Sequence, residues 1–387
     1  MDCHVRLFCA NCGEMARPKF HIAPSESNAD MFYGCGFRAP DAVIFLERDG
    51  VTRLLLSDLE IDRARSEARV DEVESFSAME KELQGTSKKK PAFNEVVAAW
   101  LVKHKARSVQ VPADFSLGIA RALREEGIRM KPTKDAFWPE REFKTTKELR
   151  AITVALRIAE VGMARGFEVL TAATIRKDGR LFAGNRCLTA ELLRAEIEIA
   201  IVRAGGEARG DTIVACGEIA CDPHARGRGP LRAHELIILD IFPRSTESGY
   251  FGDISRTVVR GTASDAQRHL WQTCLEGQET AIAAIRPGKK GLAIQDKVRA
   301  DFAAAGYPTE RRDGRWQGFF HGLGHGLGLE IHEAPRFASA TFRPGQVITV
   351  EPGIYIPGLG GVRHEDVVHI TRVLPTVLTR HSKPLEL

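Results

Sequence analysis

The stretch Leu239–Thr257, LDIFPRSTESGYFGDISRT, sets one aspartate near the end of an apolar run and a second at the start of another. Upstream it continues as ELIILDIF and downstream as DISRTVVRG, two strand-like segments joined by a turn rich in Pro, Ser and Gly. A hairpin pairs such strands antiparallel and allows Asp240 and Asp253 to share one sheet face. A buried carboxylate without a partner is costly enough to take up a proton, so carboxylates on an apolar face ask for cations. Two more stand in similar surroundings, Glu351 in VITVEPG and Glu365 in VRHEDVV. Any one of them is explained equally well as a solvent-facing strand residue. Four together, each interrupting an apolar run, point to a metal cage.

The stretch His321–Glu333, HGLGHGLGLEIHE, offers imidazole to that cage. Oxygen-rich sites with one imidazole suit manganese, cobalt, iron or zinc, and carboxylates bridge two ions roughly 3.5–4 Å apart. Gly322, Gly324, Gly326 and Gly328 would each cost a helix about 1 kcal/mol, so a strand or tight loop is expected. The H-E-x-x-H pattern of helical zinc proteases is absent, because HEAPR has no second histidine and HGLGH has no glutamate. The glycine spacing imitates a nucleotide loop, but no Lys-Ser/Thr follows.

At 387 residues the chain exceeds the size at which one hydrophobic core usually stops growing, so two domains are expected. With 55 basic and 51 acidic residues, a net charge of +4 leaves no footprint for nucleic acid or an anionic membrane. No apolar run approaches the roughly 20 residues of a membrane span, and MDCHVRLFCANCGEMARP is too polar for a signal-peptide core. Scattered cysteines in so long a chain fit reduced thiols, so a cytoplasmic location is expected. Cys9 and Cys12 form a lone C-x-x-C, weak ground for zinc.

Residues 1–21 read as an extension of unknown role. Residues 22–140 alternate runs such as DAVIFLE and TRLLLS with helical segments near 92–105 and 116–127, a small α/β domain. Thr145 and Glu148 then form a capping box, and Leu149, Ile152, Leu156, Ala159 and Met163 recur as one apolar helix face. Strands beyond 210 and helices near 265–285 and 292–305 make residues 141–387 an α+β domain that carries the carboxylates and histidines.

The ordered set DPH at 222–224, LDIFPRSTESGYFGDISRT at 239–257, HGLGHGLGLEIHE at 321–333, VEPGIY at 350–355 and GGVRHEDVV at 360–368 closely resembles the pita-bread-fold metallopeptidases. These are the methionine aminopeptidases, Xaa-Pro aminopeptidases and prolidases. SNADMFYGCGFRAPDAVIFLE resembles the amino-terminal domain of the Xaa-Pro branch, and EREFKTTKELRAIT its linker helix. The resemblance implies an α+β catalytic domain of the creatinase/aminopeptidase type preceded by a smaller α/β domain that limits substrates to short peptides and commonly helps form a homodimer. It implies two divalent metal ions, manganese first, with cobalt, zinc or iron as alternatives. Asp240 would serve one ion, His325 and Glu351 the other, and Asp253 and Glu365 would bridge. A metal-bridging hydroxide would attack the bond between an N-terminal residue and proline in a dipeptide or short peptide. Glu351 would shuttle the proton, His224 and His332 would stabilise the intermediate and orient the amide, His321 would line the pocket, and Arg363 would hold the metal-site carboxylates.

His234, His364 and His369 match no motif position and read as structural. The span from Asp240 to Asp253 is about two residues longer than in many relatives, which bears on substrate selectivity. Two other readings stand beside the peptidase: a hydrolase of a non-peptide amide or C–N bond on the same fold, and a binding module that has lost catalysis. The intact ligand set argues against the second.

Overall fold

Strand β1 (Lys19–Pro24) starts three residues ahead of the expected boundary at 22. The strands β2 (Ala42–Arg48) and β3 (Val51–Leu56) form a hairpin whose turn residues Asp49 and Gly50 have φ +54° and +79°, the left-handed pair that suits strand twist. With β4 (Glu72–Ser75), β5 (Ser108–Val111) and β6 (Arg129–Pro132) they make a mixed sheet of order β4-β3-β2-β1-β5-β6. Alternation along β2 sends Ile44 and Leu46 into a core with Trp100, and Val43 and Phe45 into another with Met31 and Trp138. Both faces are therefore buried, as in an α/β layer. The computed structural model describes residues 17–387, and the chain divides into two compact units, one ending at Pro139 and the other running from Glu140 to Leu387. Cys9 and Cys12 lie outside the described residues.

The second unit opens on a helix, Thr146–Ala172, whose capping box forms as the sequence requires: Glu148 Oε2 accepts from Thr145 N at 2.8 Å, and Thr145 Oγ1 accepts from Glu148 N at 3.3 Å. Its face of Ile152, Leu156, Ala159 and Met163 is fully buried. This helix and Ala190–Arg203 back a three-stranded sheet of Ile213–Cys216, Leu236–Ile241 and Ile254–Val259, where Ile237, Leu239 and Ile241 point toward the helices. Asp240, on the opposite parity, points away from them. A second sheet has the order Glu333–Arg336, His325–Gly326, Val347–Val350, Asp366–His369, Thr376–Val377, with the hairpin Gly353–Ile356/Gly360–Arg363 beside it. Helices Asp265–Ala284 and Gly291–Ala304 back it through Leu270, Cys274, Val298 and Phe302. Among the described residues no helix is long and apolar enough to cross a membrane.

His325–Gly326 is indeed a short strand in a loop. A Cβ on Gly324 would stand 2.1 Å from Thr349 O, and one on Gly326 would stand 2.3 Å from Ala334 O. The glycines at 324 and 326 let backbones close up on each other.

Candidate metal centre

Asp240 is the penultimate residue of Leu236–Ile241 and lies opposite Ser255 in the antiparallel partner Ile254–Val259. Asp253 precedes that partner by one residue and shares parity with Ser255, so the period of two sets all three on one face. His325 starts its short strand, Glu351 directly follows Val347–Val350, and Glu365 sits in the gap between Gly360–Arg363 and Asp366–His369. Strand ends thus deliver all five expected ligands. They line one cavity of about 320 Å³ together with His224, His321, His332 and Arg363. His325 Nε2 is 3.2 Å from Glu351 Oε1 and 3.7 Å from Asp253 Oδ2. Asp253, His325 and Glu365 offer ligand atoms that all lie within 4.8 Å of one another. His325 Nδ1 donates to Gly326 O at 3.1 Å, which turns Nε2 toward the carboxylates.

The electrostatics fit cations. Burial, then the charges of Glu365, Asp240 and Glu351, raise Asp253 well above the carboxylate range. Burial, then Glu351 and Asp240, push Glu365 up to about 8. Burial also opposes charge on Glu351, but the hydrogen bond and charge of His325 hold it down to about 2. Burial opposes protonation of His325 too, and Glu351 more than offsets it, so that imidazole is raised. Asp240 Oδ1 is buried without a hydrogen-bond partner among the described residues, an acceptor that a metal ion would satisfy.

Arg363 is 3% exposed and does more than hold carboxylates. It donates to Asp240 Oδ2 at 2.6 Å, Ser255 Oγ at 3.2 Å, Tyr355 Oη at 3.0 Å and Pro223 O at 3.3 Å. The last contact fastens the loop that carries His224. Ser255 Oγ in turn donates to Glu365 Oε2 at 2.9 Å. His321 Nδ1 donates to Gly322 O at 2.8 Å, which leaves Nε2 to accept from Tyr355 Oη at 2.9 Å. Burial pushes His321 down to about 4, so it presents a neutral ring to the cavity with both nitrogens engaged. His332 is exposed, with its ring edge-on to His325 at 4.3 Å between centroids; burial, then the charge of His325, lowers its pKa.

His234, His364 and His369 do not line this cavity. His364 is fully buried against Trp271, 4.8 Å between ring centroids, and burial pushes it down to about 3. Sequence reading assigned nothing to Ser255, Tyr355 or Arg336. The parity of Ser255 with Asp253 was a usable signal. Tyr355 lies far in sequence from His321 and gave none. Arg336 lines the cavity and has no ion pair or side-chain hydrogen bond among the described residues; in HEAPR it reads as an ordinary surface cation.

The profile of metallopeptidase family M24 matches residues 150–372, which contain all five expected ligands. An Xaa-Pro dipeptidase of Pyrococcus horikoshii is 28% identical over 342 residues, covering 86% of this chain and 85% of that protein. One from Pyrococcus furiosus is 32% identical over 260 residues, 66% of this chain and 68% of that protein. The crystal structure of the prolidase from Pyrococcus horikoshii OT3 superposes with a TM-score of 0.76 at 25% identity and covers 95% of both chains. With its carboxylates gathered between two helix-backed sheets inside the matched span, the chain belongs to metallopeptidase family M24, has the pita-bread fold and is a metallo-exopeptidase.

Proposed function

We propose that the protein is an Xaa-Pro dipeptidase that uses two divalent ions, manganese first, to hydrolyse the bond between an N-terminal residue and a C-terminal proline. The observation that carries the dipeptide reading is Arg336, a cation on the cavity wall with no carboxylate of its own among the described residues. A dipeptide brings its α-carboxylate within reach of the reacting amide, and Arg binds carboxylates well. The names of the Pyrococcus relatives support the same choice.

Asp240, Asp253, His325, Glu351 and Glu365 would hold the ions, with Asp253 and Glu365 between them. Bound there, the ions supply acidified water and polarisation of the scissile carbonyl. Together with Arg363, two divalent ions carry five positive charges against four carboxylates, which leaves room for one negative nucleophile. Glu351, kept anionic by His325, takes the proton of the attacking water and returns it to the leaving proline nitrogen. His332 has no side-chain hydrogen bond among the described residues, so its ring N–H is available to the developing oxyanion. His224 orients the scissile amide from its loop. The neutral ring of His321 forms an apolar wall for proline. The first unit fits the amino-terminal domain of the Xaa-Pro branch, residues 22–140, ahead of a catalytic domain at 141–387, and the protein acts as a homodimer. The five described cysteines are free, in keeping with a reducing cytoplasm.

The test strips the metal, restores manganese, cobalt or zinc, and assays Ala-Pro, Gly-Pro, Ala-Pro-amide and a longer Xaa-Pro peptide. Dipeptides should turn over fastest and the amide poorly. Failure of metal-loaded protein to cleave any proline peptide would overturn the reading.

A further inference from the structure

The loop from His325 to His332 is fastened from behind by a cluster of four charges, of which Glu333 and Lys144 are buried and Glu330 is exposed. Glu333 and Lys144 are each 9% exposed. The Glu333 carboxylate accepts from Lys144 Nζ, from Arg141 Nη2 at 2.7 Å and from the Glu330 amide at 3.3 Å. Arg141 Nη2 also reaches Glu330 Oε2 at 2.7 Å, so two cations meet two carboxylates. Lys144 is itself anchored, its amide donating to Gly345 O at 2.7 Å. The carboxylate occupies the space above Gly328, where a Cβ would stand 2.2 Å from Glu333 Oε1. It therefore grips the middle of the loop as well as its end.

Along Glu333–Arg336 burial alternates, with Glu333 and Pro335 inside and Ala334 and Arg336 outside. His332 shares parity with Arg336, and both line the cavity, whereas Glu333 points away from it. Neither front-face side chain has a hydrogen bond or ion pair among the described residues, so each depends on the backbone for its place. Buried ion pairs add little stability over apolar residues of similar volume, yet they impose a definite geometry.

We propose that Glu333, clamped by Lys144 and Arg141, is a positioning residue that sets His332 and Arg336 toward the substrate. This rests on the dipeptidase reading for its kinetic arm only. Glu333→Gln keeps the shape and the contact with the Glu330 amide but removes the ion pairs. In the full-length, metal-loaded protein it should lower kcat on Ala-Pro at least tenfold and raise KM several-fold, with bound metal per chain unchanged. On Ala-Pro-amide, which gives Arg336 no carboxylate, kcat should fall while KM stays level, a split that simple loss of folded protein does not produce. Lys144→Met combined with Glu333→Gln should be no worse than Glu333→Gln alone. The second arm needs no turnover: ring-proton NMR shifts of His332, set by its edge-on contact with His325, should move in metal-free Glu333→Gln. Unchanged His332 shifts, or kinetics per bound metal equal to wild type, would refute the clamp. An inactive wild type would instead sink the dipeptidase reading and leave the NMR arm to decide.

Discussion

Glu365 is legible as a ligand candidate because it interrupts an apolar segment, His325 because it stands at a position of the ordered motif set that resembles the family, and substitution of either should remove metal and activity together. His325→Ala and Glu365→Ala are expected to retain less than a tenth of the wild-type metal, as elemental analysis would show. Arg336 is different, since nothing in its neighbourhood in the sequence marks it. Arg336→Met should raise KM for Ala-Pro at least tenfold with a smaller change in kcat, in line with the roughly 1.5–3 kcal/mol of a hydrogen bond to a charged group. His364 reads in the sequence as an unassigned histidine beside a ligand, and only its burial shows what a substitution does. Its packing on Trp271 means that His364→Ala opens a cavity costing about 2–4 kcal/mol. His364→Leu fills the space, removes two ring nitrogens that lack partners among the described residues, and should match or exceed wild-type stability in urea with activity kept.

At the level of elements, propensity and punctuation foretold the helices well, because the capping box at Thr145 and the period of Ile152, Leu156, Ala159 and Met163 are local signals. Thr145→Ala should cost about 1 kcal/mol. The glycine-rich strand was less legible: its spacing excludes a helix but does not say what approaches. The structure supplies Thr349 and Ala334 backbone oxygens as the neighbours, so Gly326→Ala should destabilise by about 1–3 kcal/mol through overpacking, measured by urea unfolding of the metal-free protein.

For the molecule as a whole, the proposed ligand set should tie stability to pH and metal. Asp253, Glu365 and His325 all have folded pKa values above their ordinary ones, so the stability they contribute is present at acid pH and lost as pH rises, for Glu365 toward about 8. Glu351 has the opposite sign, but with a pKa of about 2 it contributes no slope above the ordinary carboxylate range. His321 and His364, held down to about 4 and about 3, have the opposite sign up to the ordinary histidine value of about 6.5, so metal-free protein should lose melting temperature only from pH about 7 toward about 8, and saturating manganese should flatten or reverse that slope because metal binds deprotonated side chains; parallel melts with chelator and with manganese check this. The sequence by itself determined the helix-backed strands, the carboxylates that interrupt them and the one imidazole that joins them, because those signals are periodic or repeat an ordered family pattern. Only the tertiary structure decided that Arg363 ties Asp240, Ser255, Tyr355 and the loop of His224 into one network, that both nitrogens of His321 are occupied, and that Glu333 is held by Lys144 some 189 positions away. These are pairings between distant segments, and neither local propensity nor spacing records which segments the fold brings face to face.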